Sequence, residues 1–132
     1  MTKYGIKIKG ILKCDDKFLI VRKWYNDRIE NPYQWEFLDT DLEDGETPEI
    51  TCLRYVQEST GIDASISSMP YTWVYRLGDN NYLGIAFLCR VDDVPVILSE
   101  ALSDYKWVHA DELPDYIDNG RVLEDMREAG VI

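Results

Sequence analysis

The stretch Trp35–Ile62, WEFLDTDLEDGETPEITCLRYVQESTGI, constrains this chain more than any other segment. A loop crowded with acids (Asp39, Asp41, Glu43, Asp44, Glu46) runs directly into a helical pattern punctuated at both ends. Thr47 is placed to cap the helix, Pro48 suits its first position and Gly61 suits its end, so a helix is predicted over 48–60. Glu46 is followed by seven residues and then Arg54, and Val56, Glu58, Gly61 and Ile62 follow at fixed steps. At about 100° per residue, Ile50, Cys52, Leu53 and Val56 are expected to form one broad sheet-facing side. Tyr55, Glu58 and Ser59 fall on a different arc.

The flanks supply strands. Residues 4–13 alternate, with Tyr4, Ile6 and Ile8 facing one way and Lys7 and Lys9 the other. Asp15-Asp16-Lys17 suits a hairpin turn, and Phe18–Trp24 reads as the returning strand. Residues 25–34, with Asn31-Pro32, read as a loop. Two strands are predicted over 71–77 and 82–91, joined at Gly78-Asp79-Asn80-Asn81. A short strand is expected over Tyr105–Val108, and terminal helices over Asp111–Asp118 and Arg121–Ala129. The order β-β-β-α-β-β-β-α suggests an α/β fold with a mixed sheet and helices on both faces, in one domain spanning 1–132.

The spacing around Glu46 and Arg54 resembles the Nudix box, whose pattern is G-x5-E-x7-R-E-U-x-E-E-x-G-U with U aliphatic. Six of the nine specified positions match in register, which implies a Nudix-like α/β/α sandwich. The departures are Thr40 for the first glycine, Tyr55 for the glutamate after the arginine and Ser59 for the last glutamate. Nudix enzymes cleave a diphosphate bond in a nucleoside diphosphate linked to another group, using divalent cations, usually magnesium. By that resemblance Glu58 is the retained metal-binding and catalytic acid. Glu46 and Arg54 are the structural pair that fixes the loop onto the helix. Thr40 stands where a backbone carbonyl touches metal. Asp104 in Ser103-Asp104-Tyr105-Lys106-Trp107 aligns with a catalytic acid of the later loop, and Glu100 beside it is a further candidate metal ligand.

Tyr55 and Ser59 add no charge where the family carries glutamates, since a tyrosine with a pKa of about 10 is neutral at pH 7. The expected activity is therefore a magnesium- or manganese-dependent pyrophosphohydrolase with weakened turnover. The alternative is an inactive domain that binds a nucleotide or nucleotide-sugar as a sensor. On the ligand side, Arg22 and Lys23 end the second strand as candidate phosphate contacts. Tyr33 is the candidate base-stacking ring, with Trp24 and Trp35 beside it. Arg28 is a further cation in the polar loop. The lone histidine, His109, reads as a surface or capping residue.

A formal net charge of −11 argues against binding a nucleic-acid polymer or a membrane surface, both of which select basic proteins. No apolar run approaches the roughly 20 residues of a spanning helix. The N-terminus alternates instead of forming a signal core, and the three scattered cysteines suit reduced thiols, so a cytoplasmic location is expected. The expected partner is a small nucleotide-type molecule. The sequence leaves the oligomeric state open, a homodimer included.

Overall fold

The computed structural model describes residues 3–24 and 33–132. The reading of 25–34 as a loop and of Arg28 as a phosphate contact falls mostly or wholly on residues outside that range.

The long first strand organises the sheet by making different pairs along its length. Strand β1 (Tyr4–Cys14) meets β2 (Lys17–Lys23) only at the hairpin, through Lys13 opposite Phe18 and Cys14 opposite Lys17. Asp15 accepts the left-handed turn there at φ 54°, a conformation that aspartate tolerates. Farther back, Lys7 to Gly10 pair antiparallel with β4 (Leu38–Asp41), while the other edge of β1 runs parallel to β6 (Asn80–Arg90) from Tyr4 to Lys13. Strand β2 turns away to pair with β7 (Leu102–His109) and the short β3 (Trp35–Glu36). The sheet therefore forks between an arm of β2, β3 and β7 and an arm of β1 and β4. Strand β5 (Ser65–Leu77) closes the far edge, antiparallel to β6.

Strand alternation divides the core between two faces. On β6, Phe87 and Cys89 join Cys52 and Val56 of helix α1 (Pro48–Thr60). Ala86 and the partly buried Leu88 join Leu113 of α2 (Leu113–Tyr116) and Leu123 and Met126 of α3 (Gly120–Glu128). Helices thus cover both faces of a mixed sheet, as the element order suggests. A short 3₁₀ turn, Ala110–Glu112, leads into α2, so the first predicted terminal helix is shorter than 111–118.

Helix α1 has the predicted bounds and caps. Thr47 Oγ1 accepts from Ile50 N at 3.3 Å, and Gly61 adopts φ 72° while its N–H reaches Gln57 O at 2.8 Å. The expected sheet-facing side needs correction. Ile50 is 54% exposed, and the buried stripe runs through Cys52, Val56, Ser59 and Thr60. Ile50 lies about 200° around the helix from Cys52, so both cannot face one sheet. Thr51 is buried for another reason: its hydroxyl donates to Glu46 Oε1 (2.9 Å) and accepts from Glu43 N (3.3 Å).

Three strands, β5, β6 and β7, begin earlier than their alternation suggests. Register shifts between Ile66 and Ser68 and between Ser68 and Tyr71, around Pro70, break the period-2 pattern in the first part of β5. Strand β7 starts at Leu102, and the hairpin loop tightens to Gly78-Asp79, with Leu77 opposite Asn80. All three cysteines are free; Cys52 and Cys89 are buried with their sulfurs 3.8 Å apart.

Candidate active-site cleft

A cleft of about 680 Å³ opens where the sheet forks. One side is lined by Lys23, Trp35 and Glu36 of β2 and β3, and the other by Asp39, Thr40 and Asp41 of β4 with Lys7 and Lys9 of β1. Tyr55 approaches from α1, and Trp73, Tyr75 and Tyr82 form an aromatic wall from β5 and β6.

The wall lies flat because glycines sit beneath it. Gly84 is opposite Trp73, and a Cβ on Gly84 would fall inside the indole. Gly5 does the same for Tyr82, whose Cε1 would lie 2.6 Å from an added Cβ. Tyr75 stacks on Tyr82 at 4.9 Å between centroids and parallels Trp73 at 6.5 Å. Lys9 lies across this wall, its Nζ 4.4 Å from the centre of the Trp73 ring. The residue is only 8% exposed and has no ion-pair or hydrogen-bond partner among the described residues. Burial pushes its pKa below the ordinary lysine value, against the charges of Asp39, Asp125 and Glu36.

The acids near the cleft and α1 are, by contrast, largely matched to cations of the same chain. Lys23 Nζ lies 2.9 Å from both Asp39 Oδ1 and Glu36 Oε1. Burial alone would lower the Lys23 pKa; Asp39 and Glu36 overcome it and hold the ammonium charged. Lys7 meets Asp41 at 2.7 Å. Arg54 makes three hydrogen bonds of 2.9–3.1 Å to Glu46 and one of 2.9 Å to Glu58. Those contacts hold the Glu46 carboxyl below its usual range.

The predicted site residues thus fall into separate groups. Glu46 and Arg54 form the loop-to-helix clamp, as the motif implies, and Glu58 joins it through Arg54. Arg22 pairs with Asp104 at 3.1 Å and covers the Trp35 ring at 4.5 Å. Thr40 sits in β4 opposite Ile8, in ordinary extended backbone, and lines the cleft with Tyr55. Glu100 is exposed in the turn before β7, beside the segment whose Ser99 N–H bonds Ser59 O at 2.9 Å. Tyr33 is half exposed at φ 67° and Trp24 is exposed; neither lines the cleft. Ser59 is buried, so it does not share an open arc with Glu58. His109 donates its N–H to Glu112 at the 3₁₀ turn, a capping role.

Sequence reasoning missed Lys9, Glu36 and the aromatic wall. The signal for the wall was present: Tyr71, Trp73 and Tyr75 recur at every second residue, placing three rings on one face of β5.

The NUDIX domain family model matches residues 6–126. The chain belongs to the Nudix family. This Nudix domain shares its fold with a MutT protein from Methanosarcina mazei Go1, at 20% identity over 98% of this chain and 94% of that one, with a TM-score of 0.84. A C. elegans Ap4A hydrolase, solved as a binary complex, aligns at 15% identity over 96% of each chain with a TM-score of 0.81. The NUDIX domain of Shewanella oneidensis NrtR, solved with ADP ribose, aligns at 17% identity over 97% of this chain and 89% of that one, with a TM-score of 0.76. No curated protein gives a match.

The family generally uses divalent metals such as magnesium. The donor set of this domain does not fit such a cluster. No group of three or more His, Cys, Asp or Glu side chains converges among the described residues. The Tyr55 phenol, its pKa raised by burial, is neutral where the motif calls for a glutamate. No helix among the described residues is long and apolar enough to cross a membrane.

Proposed function

We propose that this Nudix domain binds a nucleoside diphosphate linked to another group in the forked cleft, and that its pyrophosphohydrolase turnover is slow. The observation that carries this reading is the pairing of a base-sized aromatic wall with the unmatched ammonium of the largely buried Lys9. Trp73, Tyr75 and Tyr82 offer π-faces to a nucleobase, a contact indifferent to base identity. Lys9 supplies the free positive charge for a phosphate oxygen. The ADP ribose carried by the NrtR domain belongs to this chemical class.

Charge selects among such ligands. The lining carries three lysines against Glu36, Asp39, Asp41 and Asp118. A diphosphate diester with about two negative charges fits that near-balance better than a triphosphate with about four, since each extra charge is repelled without a matching cation.

Slow turnover follows from the committed acids. Glu58 is tied to Arg54, Asp104 to Arg22, Asp41 to Lys7, and Glu36 and Asp39 to Lys23, which leaves Asp118, before α3 and away from the motif helix, as the cleft acid outside an ion pair among the described residues. A positioned general base is worth about 10²–10⁴-fold in rate. Hydrolysis of ADP-ribose in magnesium is therefore expected to run at least about 100-fold slower than in a Nudix protein with the full motif. Measured product release by chromatography tests this. Turnover matching such a protein would show that the acids act despite their partners, and binding with no product at all would favour the sensor reading.

A further inference from the structure

Lys23 follows a register shift in the β2–β7 ladder between Arg22 and Lys23. Such irregularities redirect side chains, and here the ammonium bridges the two arms of the fork, reaching Glu36 on β3 and Asp39 on β4. The Asp39 contact is an aligned hydrogen bond of 2.9 Å. The Glu36 contact is ionic only: Glu36 Oε1 is buried and has no hydrogen-bond partner. A buried carboxylate oxygen left in that state is costly unless a cation faces it.

We propose that the Lys23 ammonium is a resident cation, standing between Glu36 and Asp39 where a divalent ion would otherwise be drawn. Removing it turns the fork into a divalent-cation site. The inference rests on reading the cleft as the ligand site of a Nudix domain with a depleted metal motif. The chemistry of the surrounding atoms agrees. Two carboxylates from opposite arms, with the Tyr55 phenol along the same cleft, are hard oxygen donors. A magnesium or manganese ion commonly takes one or two carboxylates and completes its shell with water. The ammonium supplies a single charge on a fixed tether, so it offsets one of the two carboxylate charges of the fork without any dissolved ion.

Burial also raises the Glu36 carboxyl, assisted by Asp39 and opposed by Lys23. Loss of Lys23 leaves two close carboxylates whose shared charge must be met by a proton or by a metal.

The test is manganese binding to the full chain at pH 7, followed by electron paramagnetic resonance and by thermal shift, with no nucleotide present. Lys23→Met is expected to bind Mn²⁺ at least about tenfold more tightly than the parent, and Lys23→Met/Glu36→Gln is expected to lose that gain. If Lys23→Met purifies unfolded, refolding in manganese but not in EDTA is the equivalent positive result. In the parent, Glu36→Gln is expected to leave the manganese response unchanged. Equal manganese affinity in parent and Lys23→Met overturns the proposal, as does a parent response that Glu36→Gln abolishes. None of these readouts depends on nucleotide binding, so failure here leaves the ligand reading standing, and failure of ADP-ribose to bind leaves this result intact.

Discussion

Phe87→Ala is expected to destabilise the fold by about 3–5 kcal/mol, while Ile50→Ala is expected to change stability by no more than about 0.5 kcal/mol. Phe87 is 2% exposed on β6, in the cluster that receives Cys52 and Val56 from α1. Removing the ring takes away its burial and leaves a cavity beneath the helix. Ile50 looks like a core residue in sequence but lies outside that cluster, so truncating it removes little buried surface. Urea unfolding of both variants checks the pair. A large loss at Ile50 would mean that the first turn of α1 is packed in a way its exposure does not indicate.

Ile50 also marks where the sequence stops being informative. The bounds of α1 were legible because caps are local: a threonine hydroxyl, a proline and a left-handed glycine act within a few residues. Which side of α1 faces the sheet depends on the fit of the whole helix onto β1 and β6, and small polar residues take part. Ser59 and Thr60 are buried, and Thr60 satisfies its hydroxyl by donating to Val56 O at 2.7 Å. No apolar pattern announces them.

The candidate site divides in the same way. The Glu46–Arg54 clamp was readable, because two residues at motif spacing form it across one loop. The partners of Asp104 and of Asp39 were not, since Arg22 is 82 residues from the first and Lys23 is 16 from the second. A crowd of acids in sequence is open to reading as metal donors; only the folded chain reveals that Asp39, Asp41, Glu43 and Glu46 face a lysine or arginine. Lys9 reads as the solvent face of an alternating strand. Burial under the aromatic wall, which comes from β5 and β6, requires the parallel pairing of β1 with β6.

Trp73→Ala is expected to weaken ADP-ribose binding by about 10- to 100-fold, in line with the ~1–3 kcal/mol of a base–aromatic stack. The same variant removes the ring under Lys9, so part of the loss reflects a less fixed ammonium. Val74→Ala is the control: its side chain is 68% exposed on the opposite face of β5 and does not line the cleft. Titration calorimetry on both variants makes the comparison. Equal affinities for the two would move the ligand off the aromatic wall.

Lys7 and Lys23 offset the charge of Asp41, Asp39 and Glu36 from within the cleft, which leaves Lys9 for the ligand. Titration of ADP-ribose by calorimetry in EDTA and again in excess magnesium tests this most directly. Affinities within about twofold of each other are predicted, because no metal is needed to offset the lining acids. Binding seen only with magnesium would contradict the account and place a metal between the ligand and the carboxylates.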